Sequence, residues 1–140
     1  MRAYTLGGLI VTGFLLAAGT AAAHHSFAAE FDANKPITLT GIVTKVEWTN
    51  PHVWFYVNVK DQKTGEVANW GAEMGPPHGL QRRGWRRDTL KIGEEVTVVG
   101  SMAKNGSKRM NARSVTLTRT GNRPTETLDA NSSEAPSSNQ

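Results

Sequence analysis

Five runs of β-branched and aromatic residues alternating with polar ones, turn signals between those runs, and a Pro76-Pro77 stop followed by one short helical stretch predict an all-β protein. The helix falls between the third and fourth runs, so the order of elements is that of an OB-like, five-stranded, partly open barrel with one short helix between strands 3 and 4. A small β-sandwich or SH3-like barrel could use similar strands, but neither needs a helix at that position.

The first run starts at Pro36 and carries Ile37, Leu39, Ile42, Val43, Val46 and Trp48. Its alternation slips near Gly41, and a glycine at a phase slip predicts a β-bulge that bends the strand. Asn50-Pro51 marks a turn. From His52 to Lys60 the alternation is strict: Val53, Phe55, Val57 and Val59 form a core face, and His52, Trp54, Tyr56 and Asn58 the opposite one. Asp61 to Gly65 reads as a hairpin turn into a third strand, Val67 to Met74, with Trp70 on the face of Ala68, Ala72 and Met74. Pro77 suits the first position of a helix running to about Arg83 and closed by Gly84. So short a helix needs docking anchors, and Leu80 and Trp85 supply them. Strand four is Glu95 to Ala103, with Val96, Val98, Gly100 and Met102 on one face. Asn105-Gly106 is a strong turn signal, and strand five is Asn111 to Thr118 with Val115 and Leu117 inward.

Outside these strands the composition changes. Arg2, the 13-residue apolar run Leu6 to Ala18, and Ala21-Ala22-Ala23 have the order of a secretory signal peptide, residues 1–23, with a small-residue cleavage site. That run is shorter than the roughly 20 residues a membrane-spanning helix needs, and no later segment is apolar enough to cross a membrane. Residues 24–35 form a lead-in with Phe27 and Phe31, 36–120 the barrel domain, and 121–140 a tail rich in Asn, Ser, Thr, Pro and Glu. With Leu128 as its one large apolar side chain, the tail buries too little to offset its ordering entropy and is expected to be disordered. There is no cysteine, so neither a disulfide nor a lipidated cysteine is available. Cleavage after Ala23 leaves fifteen Lys and Arg against twelve Asp and Glu, a net charge of +3. So mild a basicity in an exported chain argues against nucleic acid as a partner.

Taken together, His24-His25-Ser26-Phe27, Ile37-Thr38-Leu39-Thr40-Gly41, Trp48-Thr49-Asn50-Pro51-His52, Gly84-Trp85 and Leu90-Lys91-x-Gly93 resemble an uncharacterised family of small exported bacterial proteins, domain of unknown function 6152. The resemblance covers about His24 to Thr118 and implies a periplasmic location and no assigned activity. More loosely, the strand pattern is similar to periplasmic OB-fold proteins of the stress-response type and to the haem chaperone of cytochrome c maturation. That chaperone attaches haem through a histidine near a tyrosine beyond its barrel. Here His78 is the only histidine or tyrosine after Tyr56.

Three sets of residues carry candidate chemistry. The histidines His24, His25, His52 and His78 all fall in loops or at element ends, where binding residues concentrate. Cleavage before His24 or before Ala23 would join a free amine to a nearby imidazole, a nitrogen-rich donor set for Cu(II), with His52 or His78 able to complete it. The same two residues are otherwise ordinary exposed polar side chains. Trp54 and Tyr56, with Asn50 in the preceding turn, occupy the strand 2–3 face and first hairpin loop where OB barrels bind oligomeric ligands. Alternatively the two rings pack beneath the lead-in against Phe27 and Phe31. Finally, Arg82, Arg83, Arg86 and Arg87 bracket Gly84-Trp85 and could fork onto an anionic group, or form a solvated face partly neutralised by Asp88 and Glu94.

The catalytic inventory is poor: no nucleophile elbow, no phosphate-binding glycine loop and no HExxH. Glu73 near His78 is a conceivable acid–base couple but equally a surface pair. The expectation is a periplasmic or secreted, non-enzymatic binding or accessory protein that takes copper at its processed N-terminus. The alternative is a module that recognises an anionic envelope polymer, lipid or partner protein through an aromatic and arginine face.

Overall fold

In the computed structural model the described residues are 27–118 and 125–130. They form β1 (Phe31–Glu47), β2 (Trp54–Lys60), β3 (Val67–Glu73), α1 (Pro77–Arg82), β4 (Glu95–Ala103), β5 (Arg109–Leu117) and β6 (Glu126–Asp129). The sheet runs β3-β2-β1-β4-β5-β6, and a parallel pairing of Gly71–Glu73 with Arg109–Asn111 joins β3 to β5. Strands 1 to 5 therefore close into a ring whose order, with α1 between β3 and β4, is that of the OB fold. The β3–β5 seam is only three residues long.

Ring closure depends on β1, which serves two partners. Its first half pairs with β4, Pro36 opposite Ser101 through Ile42 opposite Glu95, and its second half pairs with β2, Ile42 opposite Asn58 through Glu47 opposite Trp54. The irregularity in the β2-paired half lies between Val43 and Lys45 rather than at Gly41. Gly41 answers a different need: a Cβ there would sit 2.5 Å from the Asn58 carbonyl oxygen. Gly100 on β4 is tighter still, with 2.0 Å to the carbonyl oxygen of Asn111 on β5. Both are places where neighbouring backbones approach too closely for any side chain.

The core matches the inward residues read from the alternation. Val53 just before β2, Phe55 and Val57 of β2, Val96 and Val98 of β4, and Val115 and Leu117 of β5 are all buried. α1 plugs one end of the ring through Leu80, and Trp85 follows it into the same core. Full burial contributes roughly 1.5–3 kcal/mol for a side chain such as Leu80, which is how a six-residue helix persists.

Two boundaries differ from the sequence reading. The lead-in is not outside the fold: residues 27–30 are helical and β1 begins at Phe31, which is buried opposite Ala103 of β4. The stretch Asp32-Ala33-Asn34-Lys35 has no apolar alternation and lies in an irregularity of the β1–β4 ladder, between Phe31 opposite Ala103 and Pro36 opposite Ser101. A sixth strand also lies inside the segment expected to be disordered. β6 pairs with Ser114–Leu117 of β5, Ala130 is fully buried, and the Trp85 indole N–H donates to the Asp129 carbonyl at 2.7 Å. Four residues with one leucine cannot hold a strand alone; β5 and Trp85 supply the partners.

Candidate functional site

The outward side of β1, β2 and β3 is the part of the molecule where polar and aromatic side chains are most densely organised. Because side chains alternate along extended backbone, β2 and the residues leading into it send His52, Trp54, Tyr56 and Asn58 to this side in sequence. Cross-strand register then supplies each with neighbours: Trp54 lies opposite Glu47 and Glu73, Tyr56 opposite Lys45 and Gly71, and Asn58 opposite Asn69.

Both rings are half-buried and lean over β3 at Gly71. A Cβ on that residue would meet Tyr56 Cε1 at 3.3 Å and Trp54 Cζ3 at 3.5 Å. Arg109, placed beside Gly71 by the β3–β5 seam, sets its guanidinium 4.6 Å from the centre of the Trp54 ring. The Lys45 ammonium lies 5.4 Å from the centre of the Tyr56 ring. Such contacts hold a cation against the ring face by electrostatic attraction to its π-system.

Charge on this strip is paired. Lys45 bonds Glu47, which raises the lysine pKa and lowers that of the carboxyl. Tyr56 donates its hydroxyl to Glu47 at 3.2 Å, and its pKa is raised, first by burial and then by that bond. At the end of the strip, His52 Nδ1 is hydrogen-bonded to Glu73 Oε1. Glu73 is buried, so the imidazole is held by a carboxylate that has little contact with water. At the other end, Asn69 Nδ2 donates to Asn58 Oδ1 at 2.9 Å and to Thr44 Oγ1 at 3.1 Å.

Several expected groupings are redrawn. Glu73 partners His52, not His78, which is exposed on α1. Trp54 and Tyr56 meet Arg109 and Lys45 rather than the lead-in phenylalanines: Phe27 and Phe31 meet each other, with centroids 5.9 Å apart, Phe31 seats against β4, and the lead-in reaches this face through Glu30, 4.0 Å from Arg109. Asn50 is exposed in the turn before the strip, at a cis Asn50–Pro51 peptide. Among the described residues no three His, Asp or Glu side chains gather as a metal-binding group. His24 and His25 lie outside the described residues.

The arginine cluster forms a separate patch around Trp85. Arg86 and Arg87 line a shallow cleft of about 500 Å³ with Gln81, Gly84, Trp85 and Asp88. Arg83 lies 3.9 Å from Asp129 of β6, while Arg82 is exposed on the last turn of α1. The guanidinium that meets the aromatic strip is Arg109, which the sequence did not single out. Arg109 could not be assigned to the strip by local pattern, because the parallel seam that sets it beside Gly71 joins segments more than thirty residues apart; Glu73 arrives through the β2–β3 hairpin register, opposite Trp54.

Comparison with known proteins gives a family and a likeness to solved structures. The model of a family of unknown function, DUF6152, matches residues 13–112. No curated protein matches. Among solved structures, the mitochondrial single-stranded DNA binding protein Rim1 of S. cerevisiae is similar at a TM-score of 0.48 and 9% identity, covering 62% of this chain and 96% of that one. Among the described residues no helix is long and apolar enough to cross a membrane.

Proposed function

The chain belongs to the DUF6152 family of unknown function, and from that premise we propose that it is an exported, non-enzymatic interaction module that recognises an envelope polymer through the Trp54–Tyr56 strip. The observation that carries this reading is the pair of half-buried rings laid side by side over Gly71, each with a cation against it. Rings fixed in this way offer contact area at little further cost in side-chain entropy. Export is supported by Arg2, the apolar run Leu6 to Ala18 and Ala21-Ala22-Ala23. The arginine cluster is not needed for this face, since it surrounds Trp85 instead.

The test is co-sedimentation of the purified chain with isolated bacterial envelope fragments. Trp54→Ala should reduce the bound fraction by about tenfold in affinity, of the order expected for one aromatic anchor, and Arg86→Ala with Arg87→Ala should leave it unchanged. Equal sedimentation of Trp54→Ala and wild type sinks the proposal.

A second reading, copper handling, rests on the adjacent His24-His25 that cleavage after Ala22 or Ala23 would bring to the N-terminus. Native mass spectrometry of the exported chain with sub-stoichiometric Cu(II) and a competing chelator tests it. Retention of one copper that is lost in His24→Ala and His25→Ala supports it; copper stripped from the wild type removes it.

A further inference from the structure

Resting on the interaction reading above, we infer that the ligand of the strip is a neutral, hydroxyl-rich glycan chain lying along β2, rather than a polyanion. The first argument is charge. Lys45 and Arg109 are the cations against the rings, and Glu47 and Glu73 are the carboxylates beside them. Lys45 bonds Glu47 and Arg109 lies 4.0 Å from Glu30, so each cation already faces a carboxylate and a phosphate or carboxylate polymer following the rings would meet both signs. A neutral ligand meets no such opposition and uses both signs, because each hydroxyl both donates and accepts.

The second argument is the polar edge of the strip. Asn69 commits its amide N–H groups to Asn58 and Thr44. That bonding leaves Asn58 Nδ2 as a donor beside Asn69 Oδ1 as an acceptor, a pair that suits adjacent hydroxyls on one sugar ring. At the opposite end, the bond from Glu73 to His52 Nδ1 turns Nε2 away from the carboxylate and fixes a further polar atom. Between these ends stand Tyr56 and Trp54, two residues apart and so about 7 Å from each other along the strand, with about 20 Å from Asn58 to His52. Two neighbouring flat rings flanked by planar polar groups over such a length match a chain of several sugar units, each with an apolar C–H face and an equatorial rim of hydroxyls.

The experiment follows intrinsic tryptophan fluorescence of the purified chain during titration with four probes: a neutral glucose hexasaccharide, a neutral N-acetylglucosamine hexasaccharide, a galacturonic acid hexasaccharide and a thymidylate oligonucleotide, each at low and high salt. Saturable binding of at least one neutral hexasaccharide, insensitive to salt and weakened about tenfold by Asn69→Ala as well as by Trp54→Ala, is the expected result. Asn69 is exposed, so its variant keeps the test valid if Trp54→Ala misfolds. Binding confined to the galacturonate or the oligonucleotide, falling steeply with salt, overturns the inference in favour of a polyanion. Binding of neither neutral probe also overturns it; the interaction reading then stands if envelope sedimentation still depends on Trp54, and fails with it if sedimentation does not.

Discussion

Replacing Gly100 by alanine should be among the most damaging single-methyl additions this fold can receive. The added carbon would lie 2.0 Å from the Asn111 carbonyl oxygen and 2.9 Å from its carbon, both backbone atoms of the paired strand. Non-bonded carbon and oxygen approach to about 3.3 Å at closest, so β4 and β5 must part by about 1 Å at this point. Flanking ladder bonds of ordinary length would stretch beyond hydrogen-bonding range. Losing two of them costs about 2 kcal/mol at about 1 kcal/mol each, and the overpacking strain adds about 1–3 kcal/mol. A loss of about 3–5 kcal/mol is a large part of the 5–15 kcal/mol typical of a whole domain. Urea unfolding followed by circular dichroism measures it directly, and Gly71→Ala is the control. The Gly71 methyl meets only the edges of Tyr56 and Trp54, at 3.3 and 3.5 Å, and side-chain rings can give where a paired backbone cannot. A Gly100→Ala protein as stable as Gly71→Ala would refute the claim that the ring closes because these crossings lack a Cβ.

Three further outcomes are expected. Trp85→Phe keeps the buried ring but removes the N–H that bonds Asp129, so stability should fall by about 1–3 kcal/mol; amide exchange at Ala130, bonded to Arg113 on β5, should quicken, and unchanged exchange would mean Trp85 does not secure β6. Tyr56 should titrate above its ordinary value of 10.0, because burial and the bond to Glu47 both favour the protonated phenol. Its contribution to stability is therefore complete below pH 10.0 and lost as pH rises through the higher folded value; ultraviolet titration should show Glu47→Ala lowering that value only in part, burial being the larger cause. Glu73→Gln exchanges a charge-assisted bond to His52 for a neutral one in a buried setting and should cost about 1–3 kcal/mol, whereas Glu66→Gln on the exposed hairpin should stay within about 0.5 kcal/mol; equal melting curves would remove the structural role of the pair.

Where the sequence was informative, the cause was local. The inward set Val53, Phe55 and Val57 follows from a period of two, and the helix from Pro77 at its first position and Leu80 on its buried side. What it concealed was non-local. Glu126 to Asp129 has no apolar rhythm and becomes a strand because β5 offers it an unpaired edge, while Asp32 to Lys35 is carried between the two points where β1 meets β4, Phe31 and Pro36. Gly41 fell beside a real irregularity, but its smallness serves the approach of β2 and not the bulge at Thr44.

The same division runs through the candidate site. Trp54, Tyr56 and His52 were legible as one face of one strand, yet the identity of that face depends on what the register brings to it. Four arginines dense in sequence suggested an anionic ligand, and the fold spends them around Trp85 and β6. Into the aromatic strip it brings instead one arginine from the start of β5, across the seam from β3, together with Glu73, Glu47, Asn69 and Lys45. Clustering along the chain measures charge density on a segment; only strand pairing decides which charges a ligand on the sheet would meet. On this face they cancel, and a surface whose charges cancel selects by shape, stacking and directional hydrogen bonds, with net charge left to influence encounter from a distance.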